Sequence, residues 1–333
     1  MFLNYSSTKL NNFNLNISLG DKFLNLNLGK SCKILEFNQF KIFIEGELYY
    51  LNNSDQNYLN IFDVNFENAL FQIIKEKDII SLAKYLEGSY ILCWHDNKKN
   101  EVGIVSDNLS RVKSYYTKIE DDFEMSTQLK DIINHSNGYD QHSLYSYILL
   151  GYTAEKDTFY SKIKRLASNE YFLINSNSVH KKKISDEPKN INNYFNNQID
   201  NYDKIFTNSV SSRAGKHNIV MNSGGWDSTS ILYKLCETQQ TKKISTAVFD
   251  VILPNGQSYN KYEVDKVERI GKYFNVSTEK ATVNYSDSKL LDYWESHLDN
   301  MKSNHMYFWL HHLKVSNIES LDNNPGARIF NGE

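Results

Sequence analysis

The sequence predicts two domains of different fold class, an α+β domain rich in antiparallel strands followed by an α/β domain built on a parallel sheet. Two patterns lead to this expectation. Short apolar runs separated by polar turns dominate the first half, whereas strands alternate with amphipathic helices in the second half. The length agrees, because 333 residues are enough for two domains that each bury a core of their own.

The first half contains mainly predicted strands. Apolar runs bounded by polar turns predict strands at residues 42–44, 48–50, 90–94, 102–105, 114–119 and 123–126. The last four are expected to form two hairpins. Apolar residues at helical spacing between 66 and 86 predict a helix there. A polar stretch at 184–194 is the predicted linker, which gives domains of 1–183 and 195–333.

The second half alternates between the two kinds of element. Strands are predicted at 219–221, 245–251, 278–283 and 327–330, and helices at 195–206, 229–236, 263–274, 290–298 and 307–313. Such alternation predicts a parallel sheet with helices on both faces. Ligands of such sheets bind beyond the carboxyl ends of the strands.

A short motif at one such strand end carries the strongest functional signal. Its residues are Ser223, Gly224, Gly225, Trp226, Asp227 and Ser228. Glycines let backbone N–H groups approach a polyphosphate closely, serine hydroxyls donate to phosphate oxygens, and a helix N-terminus attracts anions. The Asp227 carboxylate can hold a magnesium ion. The alternative is a tight strand-to-helix turn that binds nothing.

These six residues resemble the pyrophosphate loop (PP-loop) of the ATP pyrophosphatase superfamily, which has the adenine nucleotide α-hydrolase fold. That superfamily cleaves ATP to AMP and pyrophosphate while it activates a carboxylate or carbonyl oxygen. The Gly-Lys-Ser/Thr ending of a Walker loop is missing. The resemblance implies ATP and magnesium (Mg2+) as cofactors, with Asp227 as metal ligand. It also implies that Met221 and Val248 line an adenine pocket; for both, plain sheet core is the alternative.

Composition restricts the classes of partner. The net charge of −3 and the lack of a long basic run indicate no nucleic-acid partner. The start lacks a basic segment followed by an apolar core, and no apolar stretch approaches membrane length, so no membrane partner is expected. Cys32, Cys93 and Cys236 lie far apart and are interpreted as reduced structural residues. A cytoplasmic protein is therefore expected.

Motifs in both halves, taken in order, resemble the asparagine synthetases and their relatives. The segments in the first half are Ile44–Tyr49, Leu86–Tyr90, Ser126–Lys130, Gly151-Tyr152 and Ile163–Leu166. Members of that family join an N-terminal class II glutamine amidotransferase-like domain to a C-terminal ATP pyrophosphatase domain. The resemblance implies that the first domain is an Ntn-hydrolase-like β-sandwich.

The first half departs from this family at its catalytic positions. Family glutaminases use an N-terminal cysteine, whose free amine is the base and whose thiolate attacks the glutamine amide. Here position 2 is Phe2, and no cysteine precedes Cys32. Glu45 replaces the asparagine expected in glutamine binding, and Ser106 replaces an arginine. The first domain is therefore expected not to hydrolyse glutamine, as in β-lactam synthetases and lasso-peptide cyclases.

The end of the chain is the second departure. Asn331-Gly332-Glu333 resembles the start of the family segment Ser-Gly-Glu-Gly-x-Asp-Glu. The resemblance implies that Gly332 borders AMP and that Glu333, as a catalytic residue, faces the activated carboxylate. The later aspartate, a second magnesium ligand in the family, is not reached. The second domain is therefore expected to be incomplete at its C-terminus. The sequence would then be a fragment of a longer protein, or the product of a split or truncated gene.

The resemblance implies an ATP-dependent ligase that forms amide bonds by adenylating a carboxylate for attack by an amine. Its partners would be a small-molecule or peptide carboxylate, an amine donor, a second copy of the chain, and a separate protein supplying the missing segment. Three alternatives stay open. They are asparagine synthesis with ammonia or a partner glutaminase, an RNA-modifying pyrophosphatase such as a thiolation or lysidine enzyme, and a non-catalytic or truncated remnant. If the chain is a non-catalytic or truncated remnant, it is expected to be inactive on its own.

Overall fold

A computed structural model of the chain describes most of its residues. They are 1–6, 10, 13–29, 32–52, 58–60, 65–119, 122–154, 156–168, 170–184, 198–240, 242–284 and 327–331. The contacts divide the chain into two compact units, Met1–Ile191 and Asn192–Glu333. This division falls inside the segment for which the sequence predicts a linker.

Two antiparallel sheets make up most of the first unit. Its strands are β1 (Phe2–Ser6), β2 (Leu15–Leu19), β3 (Lys22–Asn27), β4 (Lys33–Phe37), β5 (Phe40–Asn52), β6 (Tyr58–Asn60), β7 (Leu86–Asp96), β8 (Glu101–Ser106), β9 (Tyr115–Ile119), β10 (Asp122–Ser126), β11 (Lys164–Arg165), β12 (Glu170–Ile174) and β13 (Val179–Lys183). One sheet has the order β11-β9-β10-β1-β3-β2. The other has the order β13-β12-β8-β7-β5-β4, with β6 also paired to β5.

The α-helices of the first unit are short. They are α1 (Phe66–Glu76), α2 (Leu82–Tyr85) and α3 (Gln141–Leu150). The sequence predicts one helical stretch over 66–86, but the structure interrupts it. The Asp78 carboxylate accepts a hydrogen bond from the backbone N–H of Ser81 at 2.6 Å, which forms a turn between α1 and α2. An aspartate that captures a nearby N–H in this way competes with helix continuation.

Alternation along the strands builds two cores in the first unit. Ile91 and Cys93 of β7 face the other sheet and pack with its apolar residues, which makes a two-sheet sandwich. Leu92 and Trp94, at the intervening positions, pack against α1 and α2 on the opposite face. The period of two places alternate residues on opposite sides, so one strand contributes to both cores. This sandwich agrees with the antiparallel architecture that the first half predicts.

One strand of the sandwich is longer than its sequence suggests. The polar Glu-Gly-Glu at 45–47 separates two predicted strands, yet all of it lies within β5. Gly46 has φ +122°, and a Cβ there would lie 2.1 Å from the carbonyl oxygen of Ser89 on β7. The glycine therefore lets β5 continue past a close backbone approach, and the pairing shifts register only between Leu48 and Tyr50.

Parallel strands and helices alternate in the second unit, as its sequence predicts. The elements are α4 (Gln198–Arg213), β14 (His217–Met221), α5 (Trp226–Thr238), β15 (Lys243–Ile252), α6 (Lys261–Tyr273), β16 (Ser277–Asn284) and β17 (Ala327–Asn331). The four strands have the order β16-β15-β14-β17, and every neighbouring pair is parallel. The helices predicted at 290–298 and 307–313 lie outside the described residues.

The described helices of the second unit pack on one face of its sheet. Val220 of β14 packs with apolar residues of α4 and α5. Val248 of β15 packs with Val264 and Val267 of α6. Ile219, Met221 and Ala247 belong to a separate cluster on the opposite face. Within the part of the chain that the structure describes, no helix is both long and apolar enough to cross a bilayer.

We predict that Gly103→Ala destabilises the first unit by about 1–3 kcal/mol. Trp94 of β7 is paired with Gly103 of β8, and a Cβ at 103 would lie 1.9 Å from Trp94 Cζ2. Urea unfolding of the full chain measures the loss. Trp94→Phe removes the clashing ring atoms, so the same glycine change should cost less in that background. Equal costs in the two backgrounds would contradict the steric explanation.

Candidate functional site

The strand order of the second unit creates a switch point at β14. From β14 the chain proceeds outward to β15 and β16 on one side, and β17 pairs on the other side. In open parallel sheets, ligands bind in the crevice outside the carboxyl ends of the strands at such a reversal. The Ser223–Ser228 motif follows the carboxyl end of β14 directly and leads into α5. The topology therefore places the motif where this architecture forms binding sites.

A buried asparagine holds the motif in shape. The side-chain oxygen of Asn222, Oδ1, accepts a hydrogen bond from the backbone N–H of Gly224 at 2.7 Å and another from Ser228 Oγ at 3.1 Å. Asn222 is 4% exposed and Ser228 is 5% exposed. Gly224 has φ +73°, a conformation that favours glycine. One amide oxygen thus ties the strand end, the turn and the first turn of α5 together.

The free donors of the loop differ from those expected. The sequence suggests that the glycine N–H groups face a polyphosphate, but Gly224 N–H is bonded to Asn222, and Gly225 N–H lies 3.4 Å from Ser223 Oγ. The N–H groups of Trp226, Asp227 and Ser228 begin α5 and have no acceptor among the described residues. Such first-turn groups point along the helix axis at a site that attracts anions.

Asp227 lies in the first turn of α5 and is exposed. Over the described ranges, no group of three or more histidine, cysteine, aspartate or glutamate side chains could hold a metal ion. Mg2+ commonly combines one or two protein carboxylates with waters and phosphate oxygens, and the exposed Asp227 carboxylate fits the part of one such ligand.

Met221 and Val248 do not share a face of the sheet. Met221 is in register with Ala247 and packs with it, whereas Val248 is the next residue along β15 and packs against α6. They are 7% and 1% exposed. Both are core residues of the sheet in the described structure. The two side chains therefore lie on opposite faces of the sheet, and the assignment of both residues to an adenine pocket stays a prediction.

Gly332 and Glu333 lie outside the described residues. The strand before them, β17, runs parallel to β14, and its last residue, Asn331, is in register with Met221. Because Met221 is also the last residue of β14, β17 ends at the same edge of the sheet as the loop. The strand that precedes the two terminal residues thus reaches the switch point.

Lys266 of α6 is a neighbour of the loop that the sequence does not reveal. A Cβ built on Gly224 would lie 2.7 Å from Lys266 Cδ and 3.1 Å from its Cγ, so the lysine stem crosses the glycine. The start of α6 is fixed to the end of β15 by Asn260. Its Nδ2 donates to the carbonyl of Phe249 at 2.7 Å, and its Oδ1 accepts from Val251 N–H at 3.0 Å.

In the first unit, Glu45 is already engaged by other groups. Its carboxylate accepts from the backbone N–H of Gly29 at 3.0 Å and is paired with the α-amine of Met1. The same amine donates to Thr127 Oγ1 at 2.9 Å. Ser106, which stands in place of an arginine, is buried and is hydrogen-bonded to Ser110 Oγ at 2.9 Å.

None of the three cysteines has the environment of a reactive thiolate. Burial, and then the nearby Glu45 carboxylate, raises the pKa of the Cys32 thiol. Burial also raises the pKa of Cys93 and of Cys236. Reactive cysteines have lowered pKa values, because the thiolate is the nucleophile. The sequence interpretation of these cysteines as structural residues agrees with their surroundings.

We predict that Asn222→Ala loosens the loop. Removing Oδ1 leaves Gly224 N–H and Ser228 Oγ without their shared acceptor, which costs about 1–3 kcal/mol. Hydrogen exchange in the first turns of α5 should become faster. Ser223→Ala is the matched control, because the Ser223 hydroxyl is exposed and accepts only a long hydrogen bond. Equal exchange in both variants would show that Asn222 does not hold the loop.

Two solved structures align with the chain at low similarity. One is a glutamine phosphoribosylpyrophosphate amidotransferase from B. subtilis complexed with ADP and GMP, with 10% identity and a TM-score of 0.28 over 78% of this chain. The other is described as an allosteric regulatory enzyme of purine biosynthesis, with 10% identity and a TM-score of 0.30 over 80% of this chain. The alignments cover 51% and 67% of those chains, so this chain spans about half the length of the first.

Sequence comparison bears on the first unit. No curated protein matches the sequence significantly. A family model for a glutamine amidotransferase domain matches residues 63–185, which run from just before α1 to just after β13. The match does not include β1 or Glu45. Residues 63–185 of the first unit are therefore similar to a glutamine amidotransferase domain.

Proposed function

We propose that the chain is an ATP-dependent amide-bond-forming ligase of the asparagine synthetase type. It would adenylate a carboxylate, releasing pyrophosphate, and an amine would then attack the activated acyl group. The observation that carries the proposal is the Ser-Gly-Gly-x-Asp-Ser loop at the switch point of a parallel sheet, in a chain whose other unit is similar over residues 63–185 to an amidotransferase domain. This pairing of domains is the pattern that the sequence resembles.

The residues at the loop fit a polyphosphate. The N–H groups of Trp226, Asp227 and Ser228 are free of acceptors in the described structure, and the Ser223 hydroxyl is exposed beside them. Together with the N-terminus of α5, these donors would hold the phosphates and stabilise the charge that develops on the leaving pyrophosphate. Gly224 has no Cβ, and the stem of Lys266 takes the space that this leaves beside the loop.

Asp227 would position the magnesium ion that accompanies the nucleotide. Its carboxylate is exposed at the start of α5, next to the free N–H groups. A bound magnesium ion supplies charge neutralisation for the phosphate oxygens. A negative side chain in the first turn of a helix also interacts favourably with the positive end of the helix dipole.

We infer that the first unit does not release ammonia from glutamine. The glutamine-hydrolysing enzymes that the chain resembles use a cysteine at the N-terminus, whereas residue 2 of this sequence is Phe2. Burial raises the pKa of Cys32, the first cysteine in the sequence, and this disfavours the nucleophilic thiolate. The amine would then come with the substrate or from another protein. The match to a glutamine amidotransferase domain favours the second candidate, a ligase that uses glutamine through a nucleophile other than an N-terminal cysteine.

The first test measures MgATP binding to the full chain and to Asp227→Ala by calorimetry. Loss of a magnesium ligand should weaken binding at least about tenfold when Mg2+ is present. In EDTA the same change should leave ATP binding equal or tighter, because a negative charge has been removed. Asp265→Ala, at an exposed position on α6, is the control. Wild-type protein that binds no MgATP would refute the proposal.

The second test measures ammonia release from glutamine by the full chain. No release above buffer is expected, with or without MgATP and added carboxylates such as aspartate. Cys32→Ser provides the matched comparison. Ammonia release by the wild type that is lost in Cys32→Ser would assign the nucleophile to Cys32 and overturn the inference.

A further inference from the structure

We propose that Lys266, on the second helix after the loop, is a ligand for the polyphosphate and sets the affinity of the site for it. The proposal rests on the proposed function in one respect, namely that the Ser223–Ser228 loop binds phosphate groups. It adds a charged residue that lies 38 positions beyond Ser228 in the sequence and outside the motif. The structure supports it through position, charge and an unsatisfied donor in the loop.

The position follows from the contact between Lys266 and Gly224. An ideal Cβ on Gly224 would lie 2.7, 3.1 and 3.2 Å from Lys266 Cδ, Cγ and Cε. Three carbons of the stem therefore lie along the glycine, in the space that its missing side chain leaves. The ammonium nitrogen is one bond beyond Cε, so it lies beside the turn that precedes α5. Packing the stem in this way limits the freedom of the charged end.

In the part of the chain that the structure describes, no acidic side chain forms an ion pair with Lys266. Among the described residues, its Nζ makes no hydrogen bond and no ion pair, although the residue is half-buried. Of the three acidic residues of α6, Asp265 is exposed and the other two are engaged elsewhere. Glu263 accepts a hydrogen bond from Asn260, and Glu268 is paired with Lys280 at 2.5 Å. An ammonium group next to the positive N-terminus of α5 favours an anion between them.

An unsatisfied donor within the loop points to a ligand independently. The Asn222 side chain points into the loop, because its Oδ1 accepts from Gly224 N–H and Ser228 Oγ. Asn222 is 96% buried, yet its Nδ2 has no acceptor among the residues described. Buried donors are nearly always paired in folded proteins. A ligand oxygen at this loop would supply the acceptor that the protein does not.

Packing alone is the competing explanation for Lys266. The stem covers Gly224, and any long apolar side chain could do the same. Lys266→Met separates the two explanations, because methionine keeps a long unbranched stem and lacks the charge. Lys266→Arg keeps the charge with a different head group. Lys272→Met is the matched control, since Lys272 lies on the same helix and is exposed.

The experiment measures binding of inorganic pyrophosphate to the full chain by calorimetry, without magnesium and at low fixed ionic strength. Lys266→Met should weaken binding by about 10- to 100-fold, the effect of removing one charged hydrogen-bond donor. Lys272→Met should bind as the wild type does, and Lys266→Arg should retain most of the affinity. The gap between wild type and Lys266→Met should narrow as salt is raised. Thermal unfolding of each variant checks that the fold is intact.

The outcomes separate this inference from the proposed function. Wild-type binding that is unchanged in Lys266→Met would overturn the role of Lys266 and leave the loop as a phosphate site. A wild type that binds neither pyrophosphate nor MgATP would overturn both proposals. If Lys266→Met unfolds early, Lys266→Gln is measured with the same probe, and affinity equal to that of the wild type again rejects the inference.

Discussion

The candidate site depends on one hydrogen-bonding group, the side-chain oxygen of Asn222. Asn222 directly follows β14, a strand whose residues are all buried. Its side-chain oxygen accepts hydrogen bonds from Gly224 N–H in the turn and from Ser228 Oγ in the first turn of α5. Because that oxygen accepts the hydrogen bond of Gly224 N–H, this glycine is not available to a ligand. The backbone N–H groups that remain available are those in the first turn of α5. The direction in which the site faces is therefore fixed by the strand end together with the helix.

The segment that matches the amidotransferase family model is only part of the sandwich of the first unit. The match begins at residue 63, but β1 lies between β10 and β3 in the centre of the six-stranded sheet. Leu3 and Tyr5 of β1 are buried in the core between the two sheets. Strand β1 is thus an integral part of the sandwich. It also contains Phe2, which stands where the glutaminases of the resembled family have their catalytic cysteine.

Local sequence signals predicted much of the fold, because most elements have a clear apolar period. The motif at 223–228 lies at a strand-to-helix junction, as predicted, but the helix begins within the motif, at Trp226, rather than after Ser228. The β7–β8 turn follows from its polar residues. The interruption between α1 and α2 was missed, since it depends on one side chain, Asp78. The continuity of β5 through Gly46 was also missed, because it results from pairing with β7, where the partner of Gly46 is Tyr90, 44 positions away in sequence.

At the site, the sequence predicted the loop but not its partners. Asn222 carries a weak signal, as a polar residue directly after an apolar strand, whereas Lys266 carries none, since it reaches the loop only through the packing of α6. The contact between Lys266 and Gly224 restricts how these two positions can change among homologues. A larger residue at 224 would occupy the space of the lysine stem, so substitutions at the two positions should be coupled during evolution. Homologues that keep lysine at 266 should keep glycine at 224.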